Sequence, residues 1–278
     1  MPFRPWQVHC KLNLSGKTAI LTGASRGIGT YIAKTLSAQG VTVIGIARSE
    51  SGLAETKTVV EREGGTFHAH AYDLTDINGL EVLVEELWNQ YGPIQILLNN
   101  AGIEFYQHYD RMTREKTSDI LDTNVQCPME LTRTILPKMI EEKEGHVITI
   151  ASLAGKKGLA YNSIYSASKA AMIMWSDGLR QEYRNSPIEI SVICPGFISE
   201  AGMFYDGNVS PPPLLGASKP QKVADAVMKA LKKGSCEIIV NKGPIKPLLA
   251  IGQLSWRFAD KLTRWFGVPA LNRKRISV

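Results

Sequence analysis

Short apolar runs alternate with longer amphipathic stretches from about Lys17 to Val240. The runs are Thr18–Thr22, Val41–Ile46, Thr66–His70, Ile94–Leu98, His146–Ala151, Ile188–Ile193 and Glu237–Val240. Runs this short, rich in Val, Ile, Leu and Thr, predict strands, most of them buried on both faces. The segments between them are long enough to carry a helix, with Gly40 marking the stop of the first one. Strand, helix and strand in succession imply right-handed crossovers and a mostly parallel sheet of seven strands. The fold class is therefore α/β, doubly wound, with helices on both faces. One connection is rich in breakers: Gly196 to Pro220 contains Gly202, Gly207, Pro211, Pro212, Pro213 and Gly216. A connection of that length in a compact domain reads as a lid or binding loop.

Past Pro244 the pattern changes. Apolar residues fall at Ile251, Leu254, Phe258, Leu262 and Trp265, and Arg257, Lys261 and Arg264 form a second stripe with the same steps. This predicts one amphipathic helix from Ile251 to Phe266, ended by Gly267 and Pro269. Residues 1–245 are thus read as the main domain and 246–278 as an amphipathic C-terminal extension. Three uses of the extension stay open: lying on an anionic membrane, covering a substrate pocket or a partner subunit, or packing on its own domain.

Charge sharpens that division. The net charge is +6, and from Lys246 onward there are seven basic residues against Asp260 alone, so the extension carries the whole excess. A basic surface for nucleic acid is not a property of the main domain. Cys10, Cys127, Cys194 and Cys236 lie far apart, which suits reduced thiols in a cytoplasmic protein. No secretory signal is expected from the N-terminal segment, and no stretch approaches the length of about 18 apolar residues that a spanning helix needs. His68 and His70 share a strand face but lack a third ligand nearby, so no metal is expected.

The candidate chemistry centres on Tyr165 and Lys169, four apart in a helix-prone segment and so on one helical face. An ammonium beside a phenol favours the phenolate, which predicts a Tyr165 pKa lowered from about 10 and a general acid/base near neutral pH. Ser152, at the end of the fifth predicted strand, could donate to the same substrate oxygen. Thr22-Gly23-Ala24-Ser25-Arg26-Gly27-Ile28-Gly29 lies between the first strand and the first helix, where glycines let backbone N–H groups approach a pyrophosphate.

With these residues in order the chain resembles the classical short-chain dehydrogenase/reductase family. The glycine spacing matches its T-G-x-x-x-G-x-G fingerprint, and Asn99-Asn100-Ala101-Gly102 matches its N-N-A-G motif. Ser152 stands 13 residues before Tyr165, Asn124 falls at the family's fourth catalytic position, and Pro195-Gly196 matches its P-G turn. The resemblance spans about residues 14–240 and implies a Rossmann-like fold that binds a nicotinamide dinucleotide. It implies that Tyr165 moves a proton and Ser152 steadies the substrate oxygen. Lys169 would hold the ribose, and Asn124 would bend its helix and hold a relay water. Gly23, Ser25, Arg26, Gly27, Ile28, Gly29, Asn100, Ala101, Gly102, Pro195, Gly196 and Ile198 would contact the cofactor. Asp73-Leu74 would meet the adenine, although Asp73 would equally serve as a helix cap. Where the family commonly has a threonine after the P-G turn, this chain has Glu200, with Ser199 beside it.

No acid directly follows the second strand, whereas Arg48 does, and with Arg26 it suits a ribose 2′-phosphate. The expected cofactor is therefore NADP(H). The expected function is the interconversion of a ketone and a secondary alcohol on an apolar substrate, such as a 3-oxoacyl, steroid-like or other lipid carbonyl. Phe197, Met203, Phe204 and Tyr205 in the lid motivate that choice. The alternative is a non-catalytic NADP(H)-binding protein that docks through its tail. By resemblance, a homo-oligomer paired through the helices carrying Asn124 and Tyr165 is expected, with peripheral contact to a membrane surface through residues 246–278 as an added option.

Overall fold

The computed structural model describes residues 13–277 apart from Asn208, Leu214 and Pro244, so Cys10 and the N-terminal segment read above lie outside the described residues. Seven strands form: β1 (Thr18–Thr22), β2 (Thr42–Ala47), β3 (Thr66–Ala71), β4 (Ile96–Asn99), β5 (Gly145–Ile150), β6 (Ile188–Pro195) and β7 (Glu237–Val240). The main helices are α1 (Ile28–Ser37), α2 (Glu50–Arg62), α3 (Leu80–Tyr91), α4 (Arg114–Leu121), α5 (Cys127–Glu141) and α6 (Ser163–Glu182). They are followed by the short α7 (Met203–Asp206), α8 (Pro220–Lys233), α9 (Ile245–Leu254), α10 (Trp256–Trp265) and α11 (Val268–Lys274).

All seven strands are parallel, in the order β3-β2-β1-β4-β5-β6-β7. Successive strand residues feed opposite layers. Ala19 and Leu21 join the cluster under α1, α2 and α8, while Ile20 between them joins the cluster under α3 and α5. This two-sided burial is why β1 reads as an unbroken apolar run. Strand ends shift by one or two residues from the sequence reading. β6 runs on through Cys194 and Pro195 because both pair with β7. The first helix ends at Ser37 rather than Gln39, since Gln39 and Gly40 donate three residues back in a tightened last turn.

The strand order reverses between β1 and β4, and the loops after β1, β4, β5 and β6 gather at the carboxyl ends of the strands. In an open α/β sheet this crevice is where ligands bind.

The extension departs from the single helix expected. It breaks at Ser255, whose hydroxyl accepts from the Phe258 N–H at 3.3 Å and caps α10. Gly267, at φ 73°, ends that helix, but Pro269 then occupies the first turn of α11 instead of terminating the chain's helical run. No helix among the described residues is long and apolar enough to cross a membrane.

Candidate active site

The turn after β1 is built for close backbone approach. A Cβ at Gly29 would lie 2.1 Å from the Gly23 carbonyl oxygen, so only glycine lets α1 start this near the strand. Gly27 sits at φ 62° and caps α1 with no side chain, leaving the first N–H groups of the helix directed at the crevice. Asn100, in the loop after β4, donates to the carbonyls of Thr22 and Gly23 at 2.9 and 3.1 Å. Thr22 Oγ1 accepts from the N–H groups of Asn100 and Ala101, both at 3.0 Å. The N-N-A-G segment therefore clamps the glycine turn from the neighbouring strand. A dinucleotide fits this cradle: a bare helix N-terminus faces space that side chains would fill.

Asn124 lies in a π-helical turn, Asp122–Gln126, between α4 and α5. Its amide accepts from the Ile103 N–H at 2.8 Å and donates to the Ile103 carbonyl at 2.9 Å and to Ser168 Oγ at 3.0 Å. The irregular backbone expected there is present, and it ties the loop after β4 to α6. Ser152 follows β5 in extended conformation, its Oγ accepting from Ala154 N–H at 3.1 Å. Tyr165 and Lys169 are buried in α6, 7% and 3% exposed, and share a cleft with Ser152.

One expectation fails. Lys169 does not acidify Tyr165. Burial pushes the Tyr165 phenol well above its ordinary value and the Glu104 carboxylate adds to the rise, while a Ser152 hydrogen bond and the Arg275 guanidinium oppose it. The ammonium of Lys169 lies over the phenol ring, 5.7 Å from its centroid, and donates to the Ile150 carbonyl at 3.0 Å. Burial also pulls Lys169 down to about 8. Helical spacing placed the two on one face, as predicted, but burial outweighs whatever the amine contributes to the phenol.

The other predicted residues divide. Asp73 does not cap the following helix, which starts at Leu80; its carboxylate accepts from Thr75 N–H and Oγ1 in a local turn. The Thr75 N–H, and more weakly the nearby Arg48, hold it below the usual range. Leu74 is buried beside it. Arg48 is exposed. Arg26 is not joined to Arg48; it pairs with Asp206 in α7 at 2.6 Å. Ser25 closes the glycine turn from the side of α2, its carbonyl oxygen 2.7 Å from where a Gly52 Cβ would stand. Glu200 turns away to Lys219 at 3.1 Å, and Ser199 N–H donates to Ser218 at 2.9 Å. Ile28, Pro195, Gly196 and Ile198 line the cleft; of the lid aromatics Phe197 and Phe204 stack at 4.7 Å, but Tyr205 faces outward. His68 and His70 pack against Tyr91, and no cluster of three metal-ligating side chains occurs among the described residues.

Of the three uses weighed for the extension, its inner face takes up the second. Leu248, Leu249, Leu262, Phe266 and Val268 wall a cleft of about 590 Å³ that Ser152, Tyr165 and Lys169 also line. Lys157 and Asp260 at 2.7 Å, Gln253 to the Lys156 carbonyl at 3.1 Å and Asn272 to the Ala160 carbonyl at 3.0 Å pin the extension to the loop between Ser152 and Tyr165. Arg275 goes deepest. It pairs with Glu104 at 2.6 Å, and donates to the Met203 carbonyl at 2.8 Å and to the Tyr106 hydroxyl. Sequence reasoning missed Glu104, Tyr106 and Arg275. Within Arg273-Lys274-Arg275 nothing local distinguishes the one cation that turns inward.

This architecture, a parallel sheet with a glycine turn at its switch point and a tyrosine–lysine helix beside it, defines a dinucleotide-binding α/β class. More narrowly, residues 17–208 match the short chain dehydrogenase family, and the chain belongs to it. It is 47% identical over 267 residues to the ketoacyl reductase HetN of a Nostoc species, covering 94% of this chain and 93% of that one. It is 36% identical over 187 residues to the 3-oxoacyl-[acyl-carrier-protein] reductase FabG of Escherichia coli, covering 67% and 75%. Among solved structures, an actinorhodin polyketide ketoreductase with NADPH superposes at TM-score 0.76 and 27% identity over 82% of this chain and 97% of that one. A metagenomic short-chain oxidoreductase in complex with NADP does so at 0.72 and 29%, over 82% and 98%.

Proposed function

We propose that the chain is an NADP(H)-dependent oxidoreductase that reduces an apolar ketone, of 3-oxoacyl or similar lipid-like type, to its secondary alcohol. The observation that carries this reading is the cleft itself: Ser152, Tyr165 and Lys169 line it together with Ile28 of the glycine turn and a largely apolar set from the lid and the extension, Phe197, Met203, Phe204, Leu248, Leu249 and Leu262 among them. The names of HetN, FabG and the polyketide ketoreductase support a keto substrate, and the NADPH- and NADP-bound structures support the phosphorylated cofactor. In this reading Gly23 to Gly29 hold the pyrophosphate, Asn100 to Gly102 fix the turn, Asp73-Leu74 meet the adenine and Arg48 pairs the 2′-phosphate.

When bound, the nicotinamide supplies the hydride. Ser152 donates to the carbonyl oxygen and Tyr165 gives that oxygen its proton. A phenol held above its ordinary pKa keeps its proton at neutral pH, the form that reduction requires. Lys169, anchored on the Ile150 carbonyl, lies where it can hold ribose hydroxyls, and Asn124 braces α6 through Ser168. The apolar walls bury the substrate's hydrocarbon and exclude water. Residues 1–245 supply the cofactor and catalytic groups and 246–278 complete the substrate wall. The chain assembles as a homo-oligomer through α5 and α6. It touches anionic membrane through the outward side of the extension, where Leu254 is 88% and Trp265 71% exposed among Arg257, Lys261 and Arg264.

Loss of NADPH absorbance over a panel of 3-oxo esters, linear ketones and steroid ketones tests the reading. Tyr165→Phe lowers kcat by about 10³-fold or more, while NADPH affinity stays within about twofold. Turnover of the variant equal to that of the parent excludes the mechanism.

A further inference from the structure

The ion pair between Arg275 and Glu104 is buried, with side chains 7% and 12% exposed. Both members line the cleft that holds Tyr165, and Arg275 stacks on the Tyr106 ring at 4.0 Å and lies 5.5 Å from that of Phe204. Glu104 belongs to the loop that Asn124 holds in place through Ile103. Its second carboxylate oxygen accepts from Tyr106 at 3.0 Å and from Asn162 at 3.3 Å, and Asn162 caps the helix that carries Tyr165. One guanidinium therefore joins three parts of the site: the loop after β4, the lid at Met203 and the catalytic end of the cleft.

We propose that Arg275 is a positioning residue for the reaction. It fixes the Glu104 loop and the lid against each other, and it cancels the Glu104 charge beside the tyrosine that handles the substrate's proton. This rests on the reading of Tyr165 as the acid/base. The groups facing Glu104 are Arg275 from the extension, Tyr106 from its own segment, and Asn162, Tyr165 and Lys169 from α6 and its cap. Arg275 and Lys169 are the cations among them. Lys169 faces Glu104 at longer range and hydrogen-bonds the Ile150 carbonyl, so removing Arg275 takes away the one cation that pairs with the carboxylate directly. The charge matters directly: Glu104 raises the Tyr165 pKa and Arg275 lowers it.

The test compares Arg275→Ala, Arg275→Lys and Arg275→Ala/Glu104→Gln with the parent chain. Each is assayed with NADPH and the N-acetylcysteamine thioester of acetoacetate from pH 5 to pH 8. Arg275→Ala loses about tenfold in kcat/KM at pH 8, one pH unit's worth of interaction. Arg275→Lys recovers part of the loss, and Glu104→Gln in the same chain restores the part due to the uncompensated charge, leaving the part due to the lost ties to Met203 and Tyr106. A merely structural contact predicts a deficit that Lys does not relieve and that the second substitution worsens; either result overturns the proposal. Thermal melting supplies a readout without turnover: Arg275→Ala melts lower than the parent, and Glu104→Gln in the same chain recovers part of the deficit. A parent chain that turns over nothing refutes the reading of Tyr165, and the melting series then decides by itself whether Arg275 serves to compensate Glu104.

Discussion

The glycine turn after β1, through Ile28, and the C-terminal extension both reach the same cleft, yet they are encoded in different ways. The turn works through backbone geometry within a few residues. Gly29 is needed because the Gly23 carbonyl is 2.1 Å from where its Cβ would be, and that contact lies six positions back in sequence. The extension works through side chains that meet partners over a hundred residues away: Asp260 with Lys157, Asn272 with Ala160, Arg275 with Glu104. A local rule can be read from spacing, whereas a distant pairing leaves only a cation and an anion among many. The comparisons divide along the same line. The solved structures cover 82% of this chain but 97–98% of their own, so this chain has segments beyond the shared fold. The match to HetN leaves out only about 6% of this chain, too little to exclude all of residues 246–278.

The cofactor side gives the largest effect that separates the two regions. Arg48 sits directly after β2, exposed, where no carboxylate stands to receive a ribose hydroxyl. Charge-assisted contacts to a phosphate are worth roughly 1.5–3 kcal/mol, so Arg48→Glu shifts the ratio of kcat/KM for NADPH over NADH by about 10- to 100-fold toward NADH. The same substitution leaves the KM for the ketone unchanged, because the extension and not the β2 turn walls the substrate. An unchanged cofactor ratio refutes Arg48 as the reader of the phosphate and leaves Arg26, now tied to Asp206, to be tested in its place.

Most of the fold was legible because period and length sufficed. Parallel strands buried on both faces give apolar runs that no other element of that length resembles, and the turn motifs fix their order. The shared face of Tyr165 and Lys169 was legible for the same reason, since i,i+4 spacing decides which face a side chain occupies. Spacing could not say where the Lys169 ammonium would end. That depended on the Ile150 carbonyl, a partner from another strand, and on a burial cost that outweighs the attraction expected. The extension was misread as one helix because its apolar stripe, Ile251, Leu254, Phe258, Leu262 and Trp265, is continuous in helical phase. The serine that interrupts it is a weak signal inside such a pattern.

That misreading has a consequence for the outward surface. Leu262 faces the cleft, while Leu254, Phe258 and Trp265 are left exposed beside Arg257, Lys261 and Arg264. Moving exposed Leu and Trp side chains into an interface contributes on the order of 1.5–3 kcal/mol each when burial is complete. Leu254→Ser with Trp265→Ser therefore weakens sedimentation with phosphatidylglycerol vesicles by about tenfold or more, and neutral phosphatidylcholine vesicles bind the parent chain poorly. Equal binding to both lipids removes the cationic part of the argument. No binding by the parent chain, together with a larger mass on dilution-resistant gel filtration, assigns the face to a second copy instead.

The smallest effect bears on why the extension bends at all. Ser255 Oγ accepts the Phe258 N–H, one of the orphan donors that begin α10, and losing such a cap costs about 1 kcal/mol. Ser255→Ala removes the acceptor and also raises helix propensity at the break. Both changes favour the continuous helix that the apolar stripe by itself predicts. In that helix the stripe residues would share one face, and Leu262 could not line the cleft while Leu254 faced out as it does now. The polar ties at Asp260, Asn272 and Arg275 oppose the change, since straightening would carry those residues away from Lys157, Ala160 and Glu104. The expected result is a few-fold rise in KM for long apolar ketones with kcat for small ones preserved, and far-ultraviolet circular dichroism showing slightly more helix. A loss of helix signal would mean that Ser255 is needed for α10 to form, and the break would then be the extension's starting point rather than its hinge.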